Sequence, residues 1–203
     1  MKKTYIKEGS LAWYAKKFWK PVVVVGLSVT VLGSAIAFGC DNKLNRTEYP
    51  QTQKSPSETN FVVGSVSWDV PLDEDLQLYI YELSERYGIE PELILAVIGQ
   101  ESNYKADAIG DSGNSVGLMQ VQYHQHIDRI NKLNVTDLTN PYENVLVGTD
   151  YLAECIEKGG LEWGLMAYNG GFGYADANTE QGIISEYAES VMMLTELLKE
   201  GDY

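Results

Sequence analysis

Cysteine is nearly absent from this sequence: Cys40 and Cys155 stand far apart, in different kinds of segment. Two such residues make neither a disulfide framework nor a cysteine-based zinc site. Histidine is as scarce. His124 and His126 lie close together, but no carboxylate cluster at matching helical spacing accompanies them, so both are expected at the surface and no metal or other cofactor is expected. Basic residues are few and unevenly placed. Fifteen Lys and Arg face 29 Asp and Glu, for a formal charge of -14. Six lysines against Glu8 give residues 1–20 a net +5, which leaves -19, the difference between -14 and +5, for the remainder. Such an acidic remainder repels phosphates along most approaches, which excludes nucleic acid as a partner and disfavours docking on anionic lipid. Its ordinary use is to keep a domain soluble. Also missing after residue 66 are any strand of convincing length and any internal repeat, so the folded part is expected to be all-α.

Four segments are present. Residues 1–20 are basic and aromatic, with Trp13, Tyr14, Phe18 and Trp19 among the lysines. Pro21 to Cys40 is an uncharged, largely apolar run, enough for about 30 Å of helix. It is expected to be a transmembrane anchor, oriented by the preceding lysines with its N-terminus in the cytoplasm and the rest outside. A cleaved signal peptide is the rival, given the small residues Ala35, Ala37 and Gly39. A lipoprotein signal is another, since Ala37-Phe38-Gly39-Cys40 loosely resembles the box before a lipidated cysteine. Residues 41–66 are linker-like, rich in Asn, Thr, Gln, Ser and Pro, with a reach on the order of 30 Å as a coil. Residues 67–203 form the domain, with an apolar helical period over Leu72, Leu76, Tyr79, Ile80, Leu83 and Tyr87, and a stop at Gly88. Further helices are expected from about Pro141 to Lys158, where Cys155 is a small buried hydrophobe, from Leu161 to Tyr168, and from about Ile183 to Lys199. Residues 103–116 read as a loop.

The chemistry centres on Glu101. Ile94, Val97 and Ile98 precede it by seven, four and three residues, so its carboxylate shares a helical face with apolar side chains. Pro91 suits a first helical turn, which puts Glu101 near the negative C-terminal end. Apolar neighbours and carbonyl ends both disfavour the charged form, so a raised pKa is expected, the property of a general acid. A carboxylate turned to solvent or paired with Lys105 is the bland alternative.

Glu101-Ser102, Gly117-Leu118-Met119-Gln120, Ala167-Tyr168-Asn169-Gly170-Gly171 and Tyr187 together resemble, in order and spacing, the lytic transglycosylase (SLT) domain of the goose-type lysozyme-like superfamily. Leu138 to Asn144, with Gly148 and Tyr151-Leu152, resembles the family's segment between the second and third blocks. The resemblance covers roughly Leu72 to Leu198. It implies a lysozyme-like helical fold and cleavage of the β-1,4 bond between N-acetylmuramic acid and N-acetylglucosamine in peptidoglycan, with Glu101 first as acid and then as base. The substrate's N-acetyl group and 6-hydroxyl replace nucleophile and water in that family, giving a 1,6-anhydro product. Ser102, Met119, Gln120, Tyr168, Asn169 and Tyr187 are the implied substrate-binding residues, Tyr187 also holding the acid.

Other readings remain open. Asp107 or Asp111 could position a water, as a muramidase needs, or could simply be turn residues. Residues Phe172 to Gly182 depart from the family's pattern. Gly117 and Gly170-Gly171 permit tight turns, and Asn169 could be only a helix C-cap. A non-catalytic peptidoglycan-binding anchor would keep the binding residues without the acid, and a structural envelope protein would need neither. A tethered single domain suits a locally acting wall-opening enzyme of an envelope-spanning assembly, and wall turnover equally. The anchor reading predicts that the protein recovered from membranes retains its first 40 residues by N-terminal mass analysis. An N-terminus just after Ala37, or a lipid on Cys40, would overturn it.

Overall fold

The computed structural model describes residues 67–201. The basic segment, the anchor and the linker expected before residue 67 lie outside the described residues, and among these no helix is long and apolar enough to cross a membrane.

The domain starts with a tie to its own core. The Trp68 N–H donates to Gln77 Oε1 at 2.8 Å and its indole N–H to Glu92 Oε1 at 3.0 Å. Helix α1, Glu74–Tyr87, is capped by Asp73, whose carboxylate accepts from the Leu76 N–H, and it closes at Gly88 in the left-handed region (φ 65°). Helix α2, Pro91–Ser102, buries six consecutive residues, Leu93 to Ile98. This exceeds the single stripe expected from its spacing: the helix is apolar nearly all round because other elements cover it on most sides. Truncating one such fully buried Leu or Ile to Ala costs about 2–5 kcal/mol.

Three antiparallel strands of two residues each follow: β1 Ile109–Gly110, β2 Ser115–Val116 and β3 Val121–Gln122, in the order β1-β2-β3. In register, Ile109 faces Val116 and Val116 faces Val121. An all-α expectation is thereby corrected to a mostly helical fold with a small sheet, since strands this short show no alternation to read. Helix α3, Ile127–Leu133, was not anticipated, having Ile130 as its one buried residue.

Helix α4, Pro141–Gly170, is capped by Asn140 and broken at Gly160, where φ is 82° and ψ 179°. Its two halves correspond to the two helices expected there. Cys155 is fully buried in the first half, and burial pushes its thiol up to about 11, so it behaves as an inert hydrophobe. Helix α5, Phe172–Glu180, occupies the stretch expected to depart from the family's pattern; only Ala175 is buried, so no apolar period marks it. Helix α6, Glu186–Glu200, is capped by Ser185 and makes its most extensive packing with α2.

One buried side chain locks the sheet segment onto α4. Asn144, with no exposed surface, donates to the carbonyls of Val116 at 2.8 Å and Leu138 at 2.9 Å, and accepts from the Met119 N–H at 2.8 Å. Gly117 (φ 76°) is required against it, because a Cβ there would lie 2.3 Å from Asn144 Nδ2. Asn144→Ala leaves buried backbone groups unpaired, and is expected to lower the unfolding free energy by about 2–4 kcal/mol in a urea titration. A loss within experimental error would show that the clamp is dispensable.

Candidate active site

Glu101 sits in the last turn of α2 and Tyr187 in the first turn of α6, and the packing of those two helices joins them. The Tyr187 hydroxyl donates to Glu101 Oε1 at 2.6 Å, a short charge-assisted contact when the carboxylate is ionised. Burial pushes the Glu101 carboxyl up to about 7, and the Tyr187 hydrogen bond pulls against that rise. Lys105, its alternative partner, is exposed.

Immediately after Ser102 the chain turns through two residues in the left-handed region, Asn103 (φ 51°) and Tyr104 (φ 61°). A bulky aromatic there is strained, and such strain concentrates at functional sites. Gly99 makes the turn possible: a Cβ on it would stand 2.9 Å from the Tyr104 hydroxyl. Tyr104 is buried, covering the end of α2.

Tyr168, in the last turn of α4, donates its hydroxyl to the Met119 carbonyl at 2.9 Å. Burial raises both the Tyr168 and Tyr187 phenols well above their ordinary value, and the Glu101 charge adds to the rise in each. Glu101, Tyr168 and Tyr187 thus form one electrostatic group with Glu101 as the member that titrates near neutrality.

The remaining candidates are placed differently. Met119 is 1% exposed, with its sulfur against Gly148 and the Thr149 hydroxyl, so its side chain belongs to the core and its backbone serves the site. Ser102 is buried and donates to the Ile98 carbonyl at 3.0 Å, supporting the helix end. The Gln120 amide donates to the carbonyls of Ala108 at 3.2 Å and Gly117 at 2.9 Å, with Gln120 itself at φ 48°, and so braces the loop. Asn169 is exposed, and the cap of α4 is Gly171, which leaves the Asn169 amide facing solvent. Asp107 and Asp111 are both exposed, and Gln122 donates to Asp111 at 3.3 Å.

Several contributors were not legible beforehand. The Tyr151 ring lies 5.3 Å from that of Tyr168, with the Arg129 guanidinium 5.2 Å from its centroid. Arg129 pairs with Asp150 and Glu154, and Asp150 also accepts from the Tyr87 hydroxyl at 3.1 Å. Both histidines were expected at the surface. His124 is exposed, but the His126 ring is half-buried 4.5 Å from Tyr151, and burial with the nearby Arg129 charge lowers it to about 4. Nothing in the spacing of Arg129 pointed to this; Tyr151 alone carried a signal, within the segment resembling the family. Among the described residues no group of three or more His, Cys, Asp or Glu is arranged to hold a metal ion.

The family model for the transglycosylase SLT domain matches residues 78–188, more than half of the chain and every residue of the group around Glu101. The chain belongs to that family. X polypeptide of Escherichia coli is 32% identical to this SLT chain over 127 residues, covering 59% of this chain and 73% of the relative. The endo-type membrane-bound lytic murein transglycosylase A of Citrobacter koseri is 28% identical over 130 residues, covering 61% of this chain and 57% of the relative. Among solved structures, an inactive mutant of the lytic transglycosylase Slt from Pseudomonas aeruginosa matches with a TM-score of 0.54 at 19% identity, over 61% of this chain and 24% of that one. This match supports the fold of the SLT domain.

The raised Glu101 pKa has a measurable consequence for stability. The group titrates near 4.5 when unfolded and about 7 when folded, so its contribution is fully present below 4.5 and is lost as pH rises through 7. Glu101→Gln removes that loss. Its thermal midpoint is expected to exceed the parent's by a few °C at pH 8 and by much less at pH 5. An equal difference at both pH values would rule out the buried charge as its cause.

Proposed function

We propose that this SLT domain is a peptidoglycan lytic transglycosylase with Glu101 as its acid and base. One observation carries the reading: a carboxyl poised at about 7 and held at 2.6 Å by Tyr187. Such a group can give up a proton and take one back at neutral pH, which a normal glutamate does poorly in the first direction. In the first step the Glu101 proton passes to the glycosidic oxygen, the C1–O bond of N-acetylmuramic acid breaks, and the substrate's acetamido oxygen bonds to C1. In the second, the Glu101 carboxylate takes the proton of the 6-hydroxyl and O6 displaces the acetamido oxygen from C1. The product is a 1,6-anhydro sugar, no water is consumed, and Glu101 ends protonated as it began.

Family membership supports the substrate class. The name of the Citrobacter relative, a lytic murein transglycosylase, points the same way. The hydrolytic alternative needs a second carboxyl to direct water. Asp107 and Asp111, the candidates for that role, are both exposed, and Asp111 accepts from Gln122 at 3.3 Å. With Pro21–Cys40 as an anchor, the domain would act outside the cytoplasm on glycan strands within reach of the linker. The exposed amide of Asn169 and the half-buried ring of Tyr168 are the groups offered to the sugars.

Mass spectrometry of purified peptidoglycan digested with the full-length protein tests the reaction. Fragments ending in 1,6-anhydro-muramic acid are expected, with turnover reduced about 10²–10⁴-fold or more in Glu101→Gln. Reducing ends heavier by one water would make the protein a muramidase, and full activity in the Gln variant would remove Glu101 from the mechanism.

A further inference from the structure

The proposed reaction makes no use of Tyr151, yet Tyr168, His126 and Arg129 all converge on it. Its ring lies 5.3 Å from that of Tyr168 and 4.5 Å from that of His126, and the Arg129 guanidinium stands 5.2 Å from its centroid. Its hydroxyl donates to the Ala167 carbonyl at 3.2 Å. The same carbonyl accepts from the Gly171 N–H at 2.8 Å, so it marks the point where α4 ends and the chain turns away.

The bond matters because of where α4 is broken. Helical geometry is lost at Gly160 (φ 82°, ψ 179°), so the direction of the second half is not inherited from the first. Contacts across the break set it instead. Near the break, Gly164 approaches the Ile156 backbone so closely that a Cβ would lie 2.8 Å from Ile156 Cα. At the far end the Tyr151 hydroxyl acts, on the residue directly before Tyr168 and Asn169. A small tilt of the second half would move both of those residues away from the loop that Tyr168 meets at the Met119 carbonyl.

The hydroxyl suits a permanent role. Burial, with the Cys155 thiol beside it, raises the Tyr151 phenol well above its ordinary value, so it stays a donor over the working range of pH. Its ring is held at some expense. Arg129 pairs with Asp150 and Glu154 through its terminal nitrogens, while its Nε is buried with no hydrogen-bond partner among the described residues. An unpaired buried donor is destabilising. What the arrangement does achieve is to place the guanidinium over the Tyr151 ring, in cation–π contact with it.

We propose that Tyr151 is a positioning residue: its hydroxyl and ring place the last turn of α4, and so Tyr168 and Asn169, against the loop at residues 117–120, acting through Tyr168 rather than on the sugars. The inference rests on the peptidoglycan reading above but not on the chemical outcome of the reaction.

Full-length Tyr151→Phe tests it, keeping the ring and losing only the hydroxyl. Its KM on purified peptidoglycan is expected to rise about three- to tenfold, the worth of one such bond. The kcat is expected to stay within about twofold with its pH profile unmoved, since Tyr187 and not Tyr151 bonds the acid. Deuterium exchange at the amides of residues 167–171 is expected to quicken by a similar factor, with those of residues 141–158 unchanged. Ser84→Ala is the control. It removes a bond of the same kind on α1, from the buried Ser84 hydroxyl to the Tyr81 carbonyl at 2.7 Å, and is expected to leave KM and that exchange at parent values. An unchanged KM in Tyr151→Phe, an equal rise in Ser84→Ala, or a displaced pH profile would overturn the proposal. A parent protein inert on peptidoglycan, with exchange that still responds to Tyr151→Phe, would keep the placement and remove the reaction. Cleavage by the parent with no response in exchange would keep the reaction and remove the placement.

Discussion

The hydrogen bond from Tyr187 to Glu101 is the contact on which the domain's design turns. A carboxyl at the end of a helix buried from Leu93 to Ile98 is a destabilising placement, tolerated only if it is satisfied. Apolar walls alone would push its proton affinity higher still. A phenol alone would keep it ionised. Opposed, the two leave the group near neutrality, where both proton transfers are within reach. Because α2 and α6 must be packed for the contact to exist, the proton affinity of Glu101 is a property of the folded core rather than of a local motif.

Around that contact, rigidity is distributed. Asn144 spans three segments with three hydrogen bonds, and Tyr168 closes the same loop from the other side through the Met119 carbonyl. Both act on backbone, so the loop is held whatever side chains it displays. Tyr151, which both the Arg129 guanidinium and the His126 ring touch, packs against the Tyr168 ring at 5.3 Å. The low proton affinity of His126 follows from the same crowding, and keeps it neutral beside Arg129. Such layered support is what holding a reacting group within a fraction of an ångström requires.

The long helices and the acid were legible in the sequence because each leaves a period: apolar residues three and four apart, an N-cap, a terminal glycine. The apolar residues before Glu101 foretold its high proton affinity for the same reason. The sheet was hidden, since two residues per strand cannot alternate. Helices α3 and α5 each bury a single residue and so have no stripe to read. Met119, Ser102 and Gln120 were grouped with the substrate-binding residues because they lie in the blocks that resemble the family; the structure assigns their side chains to core, helix end and loop. Resemblance marks where such a block is, while packing decides which atoms in it face outward.

Gly160 interrupts α4 at an exposed point with nothing near its missing side chain. The half before it carries Asn144 and Gly148, which serve the clamp, and the half after it carries Tyr168 and leads into α5. The halves nevertheless meet across the break, for the Tyr151 hydroxyl donates to the Ala167 carbonyl at 3.2 Å and a Cβ on Gly164 would lie 2.8 Å from the Ile156 Cα. The break at Gly160 thus lets one stretch of chain supply both the Asn144 clamp on the loop and the Tyr168 hydroxyl that meets the same loop, and the two are registered by side-chain contact rather than by continuous helix.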